Sequence, residues 1–327
     1  MPRPIHCLLS ALFPVFLFFP IERGKVQLGQ APSAEPPSPG TNDRPREFAA
    51  GVSIDWGQRT VLVDGQVVLR QGELELFACG ARTKEHESIV VIRARPMHVF
   101  QALGLLGLEP GSPVRYDPHA DRWHEAKGDA LELRVRYSDS GLEFTVPLED
   151  WLTDVKTGEK PRKLDWVFAG SRTLSNGRFA ADVEGTVVTL VDFETALIAV
   201  ASLHSADNQW LWLAARTTAI PPLDTPCTLL IRRGGEGTRE LQIGVDKNAQ
   251  FSVGGSAVSI DDLAKRWASL KTEGPPPAIV LKLSAGVSKE SVESACEQLQ
   301  KTGIARQAVE LRPPEPATEK ARTPERR

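Results

Sequence analysis

Local signatures of the commonest catalysts are missing from these 327 residues: there is no GxSxG, no GxxxxGK, no GxGxxG and no CxxC. Their absence removes the hydrolase nucleophile elbow, the phosphate-cradling loop, the dinucleotide fingerprint and the thioredoxin-type dithiol. Cysteine is scarce. Cys7, Cys79, Cys227 and Cys296 stand far apart, so neither a disulfide framework nor a cysteine-held iron–sulfur cluster is written locally. Two His-Glu pairs, His86-Glu87 and His124-Glu125, fail the HExxH pattern because Val90 and Gly128 occupy the places of the second histidine. Charge of one sign is lacking too. With 39 Lys+Arg against 42 Asp+Glu the net charge is −3, which excludes the basic field a nucleic-acid binder sets against phosphate. A triad assembled from distant segments leaves no local trace, so these gaps weaken an enzyme reading without removing it.

Only one long apolar run is present, Cys7 to Phe19, behind Arg3. It falls short of the ~20 residues of a membrane span, and Pro14 and Pro20 shorten any helix further. This build defines an export signal peptide over residues 1–31. The expected address is periplasmic or secreted, with an uncleaved N-terminal membrane anchor as the alternative and no transmembrane span after cleavage. Residues 32–46, carrying Pro32, Pro36, Pro37, Pro39 and Pro45, are expected to be a disordered tether, and 313–327 a disordered tail.

Between these ends a 41% hydrophobic content can bury a core, and the length suits about two domains. Residues 47–220 are dominated by strand and turn signals. Residues 61–63 and 67–69 flank Asp64-Gly65, which predicts a tight hairpin. Leu131, Leu133, Val135 and Tyr137 alternate with Glu132, Arg134 and Arg136, the period of a strand with one wet face. Residues 139–141 turn it into a strand at 142–146. Another strand pair, 179–184 and 186–192, is expected after Asn176-Gly177, and further strands at 197–200 and 210–214. One helix stands out: Pro96 suits its first position, Val99, Phe100, Leu103 and Leu106 form its stripe, and Gly107 stops it. The fold class is α+β: a strand-rich antiparallel N-terminal domain with one main helix.

Pro221-Pro222 and Pro226 mark a boundary, and residues 221–312 predict a smaller α/β domain with two helices on a mixed sheet. Strands are expected at 228–232, 240–245, 279–283 and 308–311, with a hairpin around Gly254-Gly255. Ser259-Ile260-Asp261-Asp262 has capping-box spacing and opens a helix that buries Leu263, Trp267 and Leu270. A second helix after Ser288 buries Val292, Ala295, Cys296 and Leu299.

Gly72-Glu73-Leu74-Glu75-Leu76, Lys84-Glu85-His86-Glu87-Ser88, the helix from Pro96 to Leu103, Leu106-Gly107 and Trp166-Val167-Phe168-Ala169-Gly170-Ser171 together resemble the YdjY-like domain of bacterial envelope proteins. That resemblance carries no activity, and the cysteine cluster that a ferredoxin-like label requires is absent here. LQIGVDKNAQFSVGGSAVSIDDLAKRW followed by AIVLKLSAGVSKESVESACEQLQKTGI is similar to the periplasmic domain of ExbD/TolR proteins. Those are stator parts of proton-driven envelope motors whose soluble domains dimerise and meet partners. Their functional aspartate sits in a membrane helix just before this domain, where this chain has its first domain instead. The resemblance therefore implies docking or dimerisation, not motor activity.

Lys84, Glu85, His86, Glu87 and Ser88 form the densest ionisable set in an apolar neighbourhood and are the candidate functional cluster. If a strand begins at Glu85, His86 shares a face with Ser88, Val90 and Ile92. It can then join Cys79 and His98 as a metal ligand set, or act as a general base held by a carboxylate. An interaction surface or a structural hydrogen-bond network fits the same residues. His119, Asp121, His124 and Glu125 also have ligand chemistry but lie in an expected exposed loop before Gly128. Cys79, Cys296 and Trp267 are expected in the core; Trp210 and Trp212 suit the core or a groove. The expected function is a non-catalytic interaction or scaffolding module without a cofactor, meeting envelope proteins or a second copy through its C-terminal domain. The alternative is a small metal-dependent or redox enzyme centred on Lys84-Glu85-His86-Glu87 with Cys79.

Overall fold

A computed structural model describes residues 44–235, 240–272, 277–306 and 309–315. The signal peptide expected over 1–31, nearly all of the tether expected over 32–46 and most of the tail expected over 313–327 lie outside the described residues. No helix among the described residues is long and apolar enough to cross a membrane.

β1 (Arg46–Ala49) and β2 (Val52–Asp55) pair antiparallel and lead into β3 (Thr60–Val67). β4 (Leu76–Gly80) and β5 (Ser88–Ile92) follow, joined through a 3-10 turn at Glu85–Glu87. Then comes α1 (Pro96–Leu105), with Pro96 at its start and Val99, Ala102 and Leu103 buried. Its first turn has no side-chain cap of its own. Asp182 supplies one from afar, accepting from the Met97 amide at 2.8 Å. β6 (Pro110–Ser112) pairs with β9 (Lys127–Gly128), and between them β7 (Arg115–Asp117) and β8 (Arg122–His124) form a small hairpin. The long β10 (Ala130–Asp139) turns at Ser140-Gly141 into β11 (Leu142–Pro147). β12 (Leu152–Asp154), β13 (Trp166–Val167), α2 (Ala180–Glu184), β14 (Thr186–Thr189), β15 (Ile198–Val200), β16 (Leu213–Ala215) and β17 (Pro226–Arg233) complete this part.

The strands close on themselves. The order β3-β17-β10-β13-β15-β14-β4-β5 returns to β3 through the β3–β5 pairing, giving an eight-stranded barrel. Closure removes the sheet edges that an open sheet leaves unpaired. The sheet is not wholly antiparallel as expected, because β4–β5 and β14–β15 run parallel. Its interior is packed with side chains such as Phe77, Val90, Val135 and Ile198, all buried.

Three local expectations are corrected. Asp64-Gly65 is not a hairpin turn: both residues lie within the unbroken β3, at the point where its partner changes from β2 to β5. The segment 179–184 is not a strand, since Ala180–Glu184 is a short helix ended by Gly185 in the left-handed region, φ +74°. The strand expected to open the C-terminal domain is β17, and it pairs with β3 and β10 as a stave of the barrel. Its apolar alternation suited either place, and only the pairing partners decide.

Beyond β17, β18 (Glu240–Val245), β19 (Phe251–Val253), β20 (Ser256–Val258), α3 (Ile260–Thr272), β21 (Ala278–Leu283), α4 (Lys289–Lys301) and β22 (Val309–Arg312) form an α/β segment. Its mixed sheet has the order β20-β19-β18-β21-β22, with β18, β21 and β22 parallel. Ser259 and Ser288 cap the two helices, each hydroxyl accepting from the amide three residues on. One apolar cluster runs through barrel and α/β segment alike.

Candidate functional site

Lys84 leaves the barrel rim just before the Glu85–Glu87 turn, and its ammonium is the centre of the expected cluster. Its Nζ lies 2.9 Å from Glu75 Oε2 and 3.4 Å from Glu87 Oε2, and 4.9 Å from the centre of the Phe193 ring. Glu75 sits immediately before β4 and is nearly covered; its carbonyl accepts from the Leu190 amide at 2.9 Å. Burial raises its pKa above the usual carboxylate range, and a hydrogen bond with Glu87 adds to the effect. Burial also opposes ionisation of Glu87, but the bond from Glu75 and the Lys84 charge outweigh it and hold its pKa low. The two carboxylates around Lys84 are thus biased in opposite directions, Glu75 toward its neutral form and Glu87 toward its charged form.

The remaining residues do not converge. The expected strand start at Glu85 is instead a 3-10 turn, which leaves the His86 side chain 73% exposed with Nε2 3.4 Å from Glu87 Oε1. Cys79 is buried in β4, its thiol against the Ser88 and Thr83 hydroxyls, and burial raises its pKa. Ser88 donates to the Lys84 carbonyl at 2.7 Å, pinning the turn to β5. Glu85 accepts from the Arg82 amide. His98 lies on α1 with a buried Nδ1 that finds no partner. Among the described residues no three His, Cys, Asp or Glu side chains gather as a metal-holding group, so Cys79, His86 and His98 do not form the expected ligand set.

Sequence reasoning missed what flanks Lys84. Glu75 is hidden in a Leu-Glu-Leu alternation that reads as an ordinary outward position. Phe193 and Asp192 come from the segment after β14, more than a hundred residues later in the chain. Asp192 has its pKa raised by burial, and its amide donates to the His204 carbonyl at 2.8 Å. The His204 ring stacks on Trp212 at 3.7 Å, and burial lowers its pKa. Trp212 in turn donates to the Leu190 carbonyl at 2.8 Å. The only sequence signal was the alternation of Trp210 and Trp212 with leucines. Trp210 itself is 70% exposed and not core.

His119 and Asp121 lie in the exposed turn of the β7–β8 hairpin, His124 ends β8 and exposed Glu125 follows it, so the segment is exposed as expected, with a short hairpin at its base. His124 Nε2 stands 3.5 Å from Asp117 Oδ2, and Tyr116 donates to Asp121. Tyr116 and Trp123 pair across the hairpin with ring centres 5.3 Å apart, yet remain 41% and 50% exposed.

The molecule so described is a closed, mixed eight-stranded barrel with Lys84 held between two carboxylates at its rim and an α/β segment docked on its wall. The YdjY domain matches residues 52–232, a span that takes in seven barrel strands whole and the eighth to within one residue of its end, and the chain belongs to that family. The match runs through most of β17, in agreement with the place of that strand in the barrel. Comparison with curated proteins finds no match.

Proposed function

We propose that this chain is an exported interaction module of the bacterial envelope, binding other macromolecules rather than turning over a substrate. The observation that carries this reading is the Tyr116–Trp123 pair, two large rings held on a hairpin and left in water. Exposed aromatics on a rigid support are the composition of binding hot spots. The apolar run Cys7 to Phe19 supports export. The α/β segment, in the order and sequence that resemble the ExbD/TolR periplasmic domain, supports docking to envelope partners or to a second copy. The test is a photo-crosslinking residue placed at Trp123, with exposed Lys156, outside both the aromatic hairpin and the α/β segment, as control, in intact cells expressing the full chain. A discrete adduct at position 123 alone, in the osmotic-shock fraction, is expected. Equal labelling at both positions, or a chain retained in the cytosol with its leader, overturns the reading.

A second reading, an enzyme at the Lys84 cluster, is favoured by the Glu75–Lys84–Glu87 ion pairs, whose carboxylates are shifted in opposite directions, beside exposed His86. Its metal-dependent form requires stoichiometric zinc or iron in the purified protein, lost on His86→Ala.

A further inference from the structure

A file of polar residues crosses the outer wall of the barrel, away from the Lys84 cluster. Arg136 on β10 faces Thr228 on β17, and Thr228 faces Asp64 on β3. Arg93, just past β5, comes next, its amide donating to the Asp64 carbonyl at 3.1 Å. At a strand spacing of about 4.8 Å the file is roughly 14 Å long. It lines a cleft of about 390 Å³, which Ser138 and Glu143 also line. That volume falls in the range of about 300–1,000 Å³ seen for small-molecule sites.

The use made of charge changes along this wall. Arg134, two residues before Arg136 on the same face, is matched by Glu132, Glu240 and Glu310 under the α/β segment. At Arg136 the matching stops: the nearest carboxylate is Glu143 at 3.9 Å, beyond hydrogen-bond reach. Among the described residues the Arg93 guanidinium has no hydrogen bond or ion pair, and the Asp64 carboxylate accepts no hydrogen bond. Among the described residues the fold therefore leaves Arg93 and Asp64 without side-chain partners in this cleft, and holds Arg136 only by a long 3.9 Å ion pair to Glu143. The strands beneath them are firmly paired, so these groups stand on a rigid floor.

The order of signs selects the ligand. A simple anion drawn to the arginines meets Asp64 and Glu143; a simple cation drawn to the acids meets Arg93 and Arg136. A molecule carrying both signs satisfies each. We propose that this cleft binds a short peptide through its free termini, the carboxylate on Arg136 and the ammonium on Asp64, with Thr228 between them. Guanidinium forks suit a carboxylate, and the Ser138 and Thr228 hydroxyls can meet the peptide group between the ends. This site adds a small-ligand function to the interaction module and stands independently of it, because none of its residues belongs to the aromatic hairpin.

Calorimetric titration of the full chain with the dipeptide Ala-Ala tests the proposal, with N-acetyl-Ala-Ala, Ala-Ala amide and acetate as comparison probes. Saturable Ala-Ala binding is expected. It should weaken about tenfold or more in Arg136→Gln and in Asp64→Asn, and on capping either end of the dipeptide, a tenfold change being about 1.4 kcal/mol. Glu297→Gln on α4, which does not line the cleft, should bind normally, and unfolding curves of the variants should match the parent. Absence of saturable Ala-Ala binding, acetate binding as tightly, or indifference to Arg136→Gln in a folded variant each overturns it.

Discussion

Arg134 Nη2 lies 2.6 Å from Glu240 Oε1, and this contact joins the barrel wall to the first strand of the α/β segment. The same guanidinium reaches Glu132 at 2.7 Å and also pairs with Glu310. Arg232 binds Glu132 at 2.9 Å, and Arg312 binds Glu240 at 3.0 Å. Three arginines and three glutamates thus neutralise one another across the junction. Arg134 is only 6% exposed at its side chain, not on the wet strand face its alternation predicts. Two of its three acids come from 106 and 176 residues away, which no local pattern can display.

Removing the hub should be costly. Arg134→Met leaves Glu132, Glu240 and Glu310 facing a buried site without their common counter-charge. Breaking a buried pair by deleting one partner costs about 3–5 kcal/mol, and the surviving Arg232 and Arg312 contacts place this case near the lower end. Urea unfolding of the variant should show the loss as a lower midpoint with an unchanged slope. A shift below about 1 kcal/mol means that the network is effectively solvated.

The network also sets an acid limit. Burial opposes ionisation of Glu132, but the hydrogen bond from Arg232 and the Arg134 charge hold its pKa at about 2. Glu240 is likewise lowered, burial being outweighed by Arg312 and Arg134. Both folded values lie below the unfolded ones, so their stabilisation is complete above about pH 4.5 and is lost as pH falls toward 2. For Glu132 the loss is on the order of 3 kcal/mol. Stability measured from pH 6 down to pH 2 should therefore fall, and Glu132→Gln should lower stability at pH 7 while flattening that fall. Glu75 acts in the opposite sense: its raised pKa makes its contribution fullest in acid and lost as pH rises through it.

Much of the fold was legible where periodicity is local. The stripe of Val99 and Leu103, the alternation from Leu131 to Tyr137, and the serine caps at Ser259 and Ser288 all correspond to observed elements. Barrel closure was not legible, because it depends on β3 meeting β5 and on β17 inserting between β3 and β10. For the site, Lys84 and Glu87 were found by charge density, whereas Glu75 was hidden in its alternation nine residues upstream and Phe193 reaches Lys84 only through the pairing of β14 with β4. His86 was misplaced by one assumption, that Glu85 begins a strand rather than a turn.

The cysteines should be inert in the folded chain. Burial pushes the Cys227 thiol up to about 12, with the Asp64 charge adding to it, and raises Cys79 and Cys296 as well. Cys296 also accepts from Arg306 at 2.8 Å within its packed face. Since the thiolate is the reacting species, iodoacetamide at pH 8 should modify all three at least ~100-fold more slowly in the native protein than after denaturation. Peptide mass mapping over a time course gives the rates. Rapid native labelling of Cys79 would instead favour the redox form of the enzyme reading.

The glycine of the supposed turn offers the sharpest local test. Gly65 keeps an extended backbone within β3, so it is not needed for a positive φ. What it provides is space: a Cβ there would stand 2.7 Å from Val90 Cγ1 and 3.0 Å from the Val91 carbonyl oxygen. β5 can approach β3 closely at the barrel seam only because that atom is missing. Gly65→Ala should therefore act as overpacking and cost about 1–3 kcal/mol. Gly104 in α1 is the matched control, since nothing lies within 4 Å of its would-be Cβ. Gly104→Ala should stabilise by up to ~1 kcal/mol through helix propensity. Thermal unfolding of the two variants should move in opposite directions, and a neutral Gly65→Ala would mean that the seam between β3 and β5 is looser than these distances require.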